Sequence, residues 1–261
     1  MAMRPAFRTS NPAFSSKSFG GFVGVDPRTA SSATEARAMT VQGTVDKTAI
    51  LLAITVFAAI WPWKMFFDSR DPGVVGPWLM LGLVGGFITA MVTIFKKSWA
   101  PVTAPLYAAC EGLALGGLSA MFELRYHGIA LQAVALTFGT LAVMLVAYKT
   151  KAIRATEGFK LGVIAATGGV ALFYLFAMVM SLFGVHMGFM SSSGPLGIVI
   201  SLVVVGIAAL NLVLDFDVVE QGARAGAPRY MEWYGAFGIL MTLVWLYLEM
   251  LRLLAKLNNR R

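Results

Sequence analysis

Phe237-Gly238-Ile239-Leu240-Met241-Thr242-Leu243-Val244-Trp245-Leu246-Tyr247-Leu248-Glu249-Met250-Leu251-Arg252-Leu253-Leu254 is an apolar run long enough to cross a bilayer, and it carries a carboxyl inside it. A run of this length reads as a transmembrane helix. An ionisable group at membrane depth costs roughly 2.5–3.5 kcal/mol on insertion scales, so Glu249 must be paired or line a polar path. The polar residues of the segment, Thr242, Trp245, Glu249, Arg252 and the following Lys256, recur at steps of three or four and share one helical face. That face is expected to look into a bundle. Apolar and aromatic residues on every other side predict a helix buried all round. Glu249 and Arg252, three residues apart, can also form an ion pair that merely satisfies the helix, with Arg252 near enough to the edge to reach water.

The rest of the chain agrees with a membrane protein. Of 261 residues 58% are hydrophobic and 13% charged, and the mean hydropathy is +0.74, outside the range of soluble domains. Apolar segments occur at about 49–67, 77–95, 101–122, 128–148, 159–184, 194–216 and 233–255, each close to the ~20 residues that span ~30 Å of hydrocarbon. The expected fold is therefore all-α, with seven transmembrane helices in one domain, 46–261, behind a basic tail, 1–45, expected to be disordered. Turn and charge signals separate the segments, among them Asp71-Pro72-Gly73, Lys96-Lys97, His127-Gly128 and Gly226 to Pro228. Gly112, Gly116 and Gly117 inside the third segment favour close helix approach.

Orientation follows from basic loops, which stay cytoplasmic. With the N-terminus inside, fourteen Lys and Arg fall on that side and seven on the other. The basic C-terminus is the discordant element, and a re-entrant last segment is the alternative to a full span.

Two further acids sit in apolar surroundings. Asp215 ends the sixth segment one turn after Asn211, whereas Asp217 and Glu220 beyond it suit the interface. Glu111 has no basic residue within reach along its own helix, and is expected to be held neutral by burial and hydrogen-bonded to a neighbouring helix. No metal site of fixed ligand geometry is expected, since His127 and His186 lack partners at ligand spacing and Cys110 is the only cysteine. No cofactor is expected. There is no His-Glu-x-x-His, Gly-x-Ser-x-Gly or Gly-Lys-Ser/Thr pattern, so the chain is not expected to be an enzyme. Its net charge of +8 is explained by membrane topology rather than by nucleic acid.

The block Pro228-Arg229-Tyr230-Met231-Glu232-Trp233-Tyr234-Gly235-Ala236-Phe237-Gly238, together with Trp245 to Leu254, Leu214-Asp215-Phe216-Asp217 and Glu111-Gly112-Leu113-Ala114-Leu115-Gly116, resembles the bacterial Bax inhibitor 1/YccA-like family. The resemblance implies a seven-helix bundle of the bacterial inner membrane, with the last helix at the centre and the other six around it. It also implies a pH-sensitive calcium leak, in which one acid of the sixth helix and one of the seventh share a proton. Those positions fall on Asp215 and Glu249, with Asp217 competing for the first and Glu111 as a supporting acid. The family's seventh-helix acid is commonly Asp, so Glu249 is a departure that lengthens the reach by one methylene. The partners expected are then the lipid bilayer and calcium ions. The alternative is an interaction protein whose tail modulates a membrane protease or stress response.

Overall fold

The computed structural model describes residues 38–69, 71–184 and 194–260. Most of the expected tail, and the expected outer loop with His186, lie outside the described residues. Among the described residues seven helices run in order: α1 Val41–Ser69, α2 Pro72–Phe95, α3 Ala100–Arg125, α4 Ile129–Lys149, α5 Glu157–Leu182, α6 Pro195–Arg224 and α7 Met231–Asn258. A 3-10 turn, Lys97–Trp99, joins α2 to α3.

Local chemistry explains the starts and stops. The Asp71 carboxylate accepts from the Gly73 amide at 2.8 Å with Pro72 at the first helical position, capping α2. Thr156 caps α5 in the same way through the Phe159 amide. Gly128 enters α4 at φ +81°, a left-handed turn that only glycine adopts without strain, while Glu123 accepts from the Gly128 and Ala130 amides. The helices outrun the apolar segments. α1 begins at Val41, so residues 41–45, assigned by sequence to the tail, are helical; their polar side chains are exposed or bonded at the bundle end.

All seven helices are long, but six of them are apolar enough to cross a membrane: α1, α2, α4, α5, α6 and α7. The remaining helix, α3, carries Glu111, Glu123 and Arg125 among many Ala and Gly residues, which lowers its mean hydropathy. Small side chains let it approach its neighbours closely instead. A Cβ on Gly112 would lie 2.4 Å from the Thr55 carbonyl oxygen, and one on Gly116 2.3 Å from that of Ala59, so α3 and α1 touch backbone to backbone. Gly117 points elsewhere, towards Val75 and Leu79 of α2 at ordinary contact distance.

Burial sorts the helices radially. In the most apolar window of α7, 72% of the residues are buried, against 50% in α6 and 6% in α5. α7 packs against α1, α3, α4 and α6, whereas α2 packs mainly on α3 and α5 on α6. The expected ring of six helices around α7 is thus incomplete in contact terms: a groove between α1 and α4 leaves part of α7 as its floor. The chain enters the bundle tied to its last helix. Ala38 bridges Pro228, the Met39 amide donates to the Ala227 carbonyl at 2.6 Å, and the Thr40 amide and hydroxyl both donate to Glu232. These contacts mark the tail end of the bundle.

Candidate functional site

Only Lys160 and Val163 of α5 are fully buried, so apolar packing alone does not hold it. Lys160, Thr167 and Tyr174 fall every seven residues, two helical turns apart, and so share one face. Each bonds inward. The buried Lys160 ammonium lies 2.8 Å from Asp217 of α6, Thr167 Oγ1 accepts from Asn211 Nδ2 of α6 at 2.8 Å, and the Tyr174 hydroxyl donates to Glu249 Oε1 of α7 at 3.0 Å. Three polar rungs therefore climb a seam between α5, α6 and α7 over most of the length of the bundle.

Glu249, 1% exposed, sits at the upper rung. Its Oε1 also accepts from Arg252 Nη1 at 2.6 Å, and its buried Oε2 has no hydrogen-bond partner among the described residues. The Arg252 guanidinium lies over the Tyr174 ring, 5.3 Å from the centroid, and is half-exposed. Next to it the Lys256 ammonium donates to the Gly197 carbonyl at 3.0 Å and to Ser201 Oγ at 2.8 Å. Above them a cavity of about 780 Å³ opens at the end opposite the tail, with Arg125, Arg252 and Lys256 in its walls. The mouth of the seam is electropositive.

Asp215 is 0% exposed and stands one turn from Asn211, on α6 between the lower two rungs. Its depth follows from register. α6 ends at Arg224 and α7 starts at Met231, and the Lys256 contacts to Gly197 and Ser201 tie the other ends together. Both constraints set Asp215 beside Leu240 and Glu249 beside Gly206. Nine residues of helical rise, roughly 13 Å, then separate the two acids along the bundle. The direct proton sharing implied by resemblance does not fit this register. The extra methylene of Glu249 reaches Arg252 and Tyr174 instead. Asp217 is bound to Lys160 and to Gln221, which commits it to holding α5. Glu111 faces α2, with Oε1 3.2 Å from where a Cβ on Gly86 would stand, and interacts with Tyr107, whose ring packs edge-on against Phe237 of α7. It lies behind α3 rather than in the seam.

A family model described as Bax inhibitor 1 like matches residues 11–259, nearly the whole chain. The chain belongs to this family. With its apolar helices, family membership makes it a multi-pass membrane protein. No curated protein and no solved structure is significantly similar to it.

Several residues of this Bax inhibitor 1 like protein escaped the sequence reading. In the sequence Lys160 and Lys47 carry only a topology signal, yet Lys160 is buried and Lys47 Nζ lies 2.5 Å from Glu232, clamping α1 to α7 at the tail end. Tyr148 donates to Glu220, which also holds Arg224. Tyr174 had no signal other than its seven-residue spacing from Thr167 and Lys160. Among the described residues no three His, Cys, Asp or Glu side chains gather as a metal-ligand set.

Proposed function

We propose that this protein is a pH-dependent cation leak of the bacterial inner membrane, with calcium as the principal cargo and the N-terminus cytoplasmic. The observation that supports it is the polar seam, with two buried carboxyls, Asp215 and Glu249, at two depths on facing helices. Carboxylates are suitable oxygen ligands for hard divalent cations, and two stations separated in depth suit passage better than retention. Closure is assigned to Arg252: its cation neutralises Glu249, and with Lys256 and Arg125 it makes the mouth repel cations. Opening then requires Arg252 to leave and α5, held by polar rungs, to move aside. Protonation removes the charge that attracts the cation, so flux rises with pH. The role assigned is transport without catalysis or a resident cofactor.

Purified protein in calcium-indicator liposomes, assayed across pH, tests this. Asp215→Asn and Glu249→Gln keep size and hydrogen bonding but cannot ionise, so each is expected to flatten the pH response. Arg252→Gln is expected to raise flux at every pH. Neutral variants that titrate like the parent would sink the assignment.

A second reading has its own observation. Residues 38–40 are fixed to the start of α7, so the preceding segment leaves the membrane domain at a defined point. That placement suits a tail that engages a membrane protease or another stress-response partner. Deleting residues 1–37 distinguishes the two, since a leak survives the deletion and tail-mediated regulation does not.

A further inference from the structure

The groove between α1 and α4 is amphiphilic from end to end. At the tail end it widens into a cavity of about 640 Å³, and further along into one of about 400 Å³, with Leu52 in the wall of both. Along α1 its walls run from Val41 to Trp63, a helical rise of roughly 33 Å, which matches the ~30 Å hydrocarbon thickness. The walls are apolar over most of this length, and basic side chains gather only at the tail end, where Lys149, Lys151 and Arg154 form the rim. None of these three makes an ion pair with a described residue, whereas the acids beside them are taken: Asp217 by Lys160, and Glu220 by Tyr148 and Arg224.

One rim residue is held at a backbone cost. Lys151 has φ +58°, the only non-glycine residue with positive φ among those described. A residue with a Cβ is disfavoured in the left-handed region, and such a conformation persists where the surrounding structure or a function demands it. Glycine would serve the turn better, but it would remove the ammonium from the rim.

We propose that this groove binds one anionic phospholipid from the leaflet on the tail side, with an acyl chain laid between α1 and α4 over α7 and the phosphate on Lys149, Lys151 and Arg154. The tail half of this slot, Val41 to Leu52 on α1, rises roughly 16 Å, about one leaflet of the ~30 Å core. With three cations at its mouth, none ion-paired to a described residue, it complements a lipid that is apolar along its length and anionic at its end. The inference rests on the multi-pass membrane placement and is independent of cation leakage. Bound lipid would also cover part of the α7 face that the protein leaves open.

The test is native mass spectrometry of the full-length protein released from nanodiscs of phosphatidylglycerol and phosphatidylcholine. One phosphatidylglycerol retained per chain, in preference to phosphatidylcholine, is expected. Lys149→Gln/Lys151→Gln/Arg154→Gln should lower that preference by on the order of a hundredfold, because each of the three basic groups near a phosphate is worth about a fivefold factor. Ala49→Trp, at an exposed groove-lining position, should reduce retention of both lipids. Lys151→Gly keeps the fold and relieves the strain, so a loss of lipid preference there cannot be charged to misfolding. Undiminished preference in the triple variant would overturn the proposal. So would displacement of the lipid by soluble glycerol phosphate, or release of a lipid-free dimer.

Discussion

Gly116 and Gly117 are chain neighbours on α3 that should respond to the same substitution with opposite signs. A Cβ added at Gly116 would stand 2.3 Å from the Ala59 carbonyl oxygen and 2.8 Å from both Ala59 Cα and Pro62 Cγ. Ordinary carbon-to-oxygen approaches are about 3.3 Å or more, so α1 and α3 must part by roughly 1 Å. The obstructing atoms belong to backbone and to a proline ring, and no rotamer change removes them. Overpacking of this kind costs about 1–3 kcal/mol, and the rigid obstacle places Gly116→Ala near the upper end. Alanine returns about 1 kcal/mol in helix propensity, leaving a net loss of about 2 kcal/mol. At Gly117 the same Cβ meets Val75 Cβ at 3.6 Å and Leu79 Cδ1 at 3.8 Å, ordinary contacts. Gly117→Ala therefore retains the propensity gain and is neutral or stabilised by up to about 1 kcal/mol. Equilibrium unfolding in mixed micelles, with both variants referred to the parent, measures the difference of about 3 kcal/mol. Two variants within about 0.5 kcal/mol of each other would refute the close crossing of α1 and α3. Because Gly116 and Ala59 also line the α1–α4 groove, Gly116→Ala should further reduce lipid retention.

The lowest rung of the seam predicts a second pattern. Lys160→Met leaves the part-buried Asp217 with only Gln221 and should cost about 1–3 kcal/mol, whereas Lys160→Met/Asp217→Leu should recover most of it, since paired apolar replacements of ion pairs are near neutral; chemical unfolding of the two variants checks this. Topology is tested by cysteine labelling of Cys110→Ala variants. A membrane-impermeant thiol reagent should reach Lys151→Cys only from the cytoplasmic side and Arg125→Cys only from the opposite side, and the reverse pattern would invert the orientation.

Helix number and the buried acid of α7 were legible because their signals are local. Long apolar stretches report spans, and a carboxyl inside one reports a need for a partner, whatever the fold. The small residues of α3 were legible too, because Gly112 and Gly116 lie one turn apart on one face and meet α1. Depth relations were not. Asp215 and Glu249 belong to adjacent antiparallel helices, and their separation depends on where the connecting turn ends and how the far ends align. Neither quantity has a sequence period.

By itself the sequence determined that this chain lives in a membrane as a helical bundle, since hydropathy acts residue by residue and needs no partner. It also put Glu249 and Arg252 within reach of each other, because residues three apart on a helix lie on neighbouring turns. Tertiary structure alone decided that Glu249 bonds Tyr174, that Asp217 holds Lys160, and that Asp215 stands a separate layer away. Each of those contacts joins residues distant in the chain, and only the crossing of whole helices, set by glycines against backbone and by polar rungs, brings them within a few ångströms.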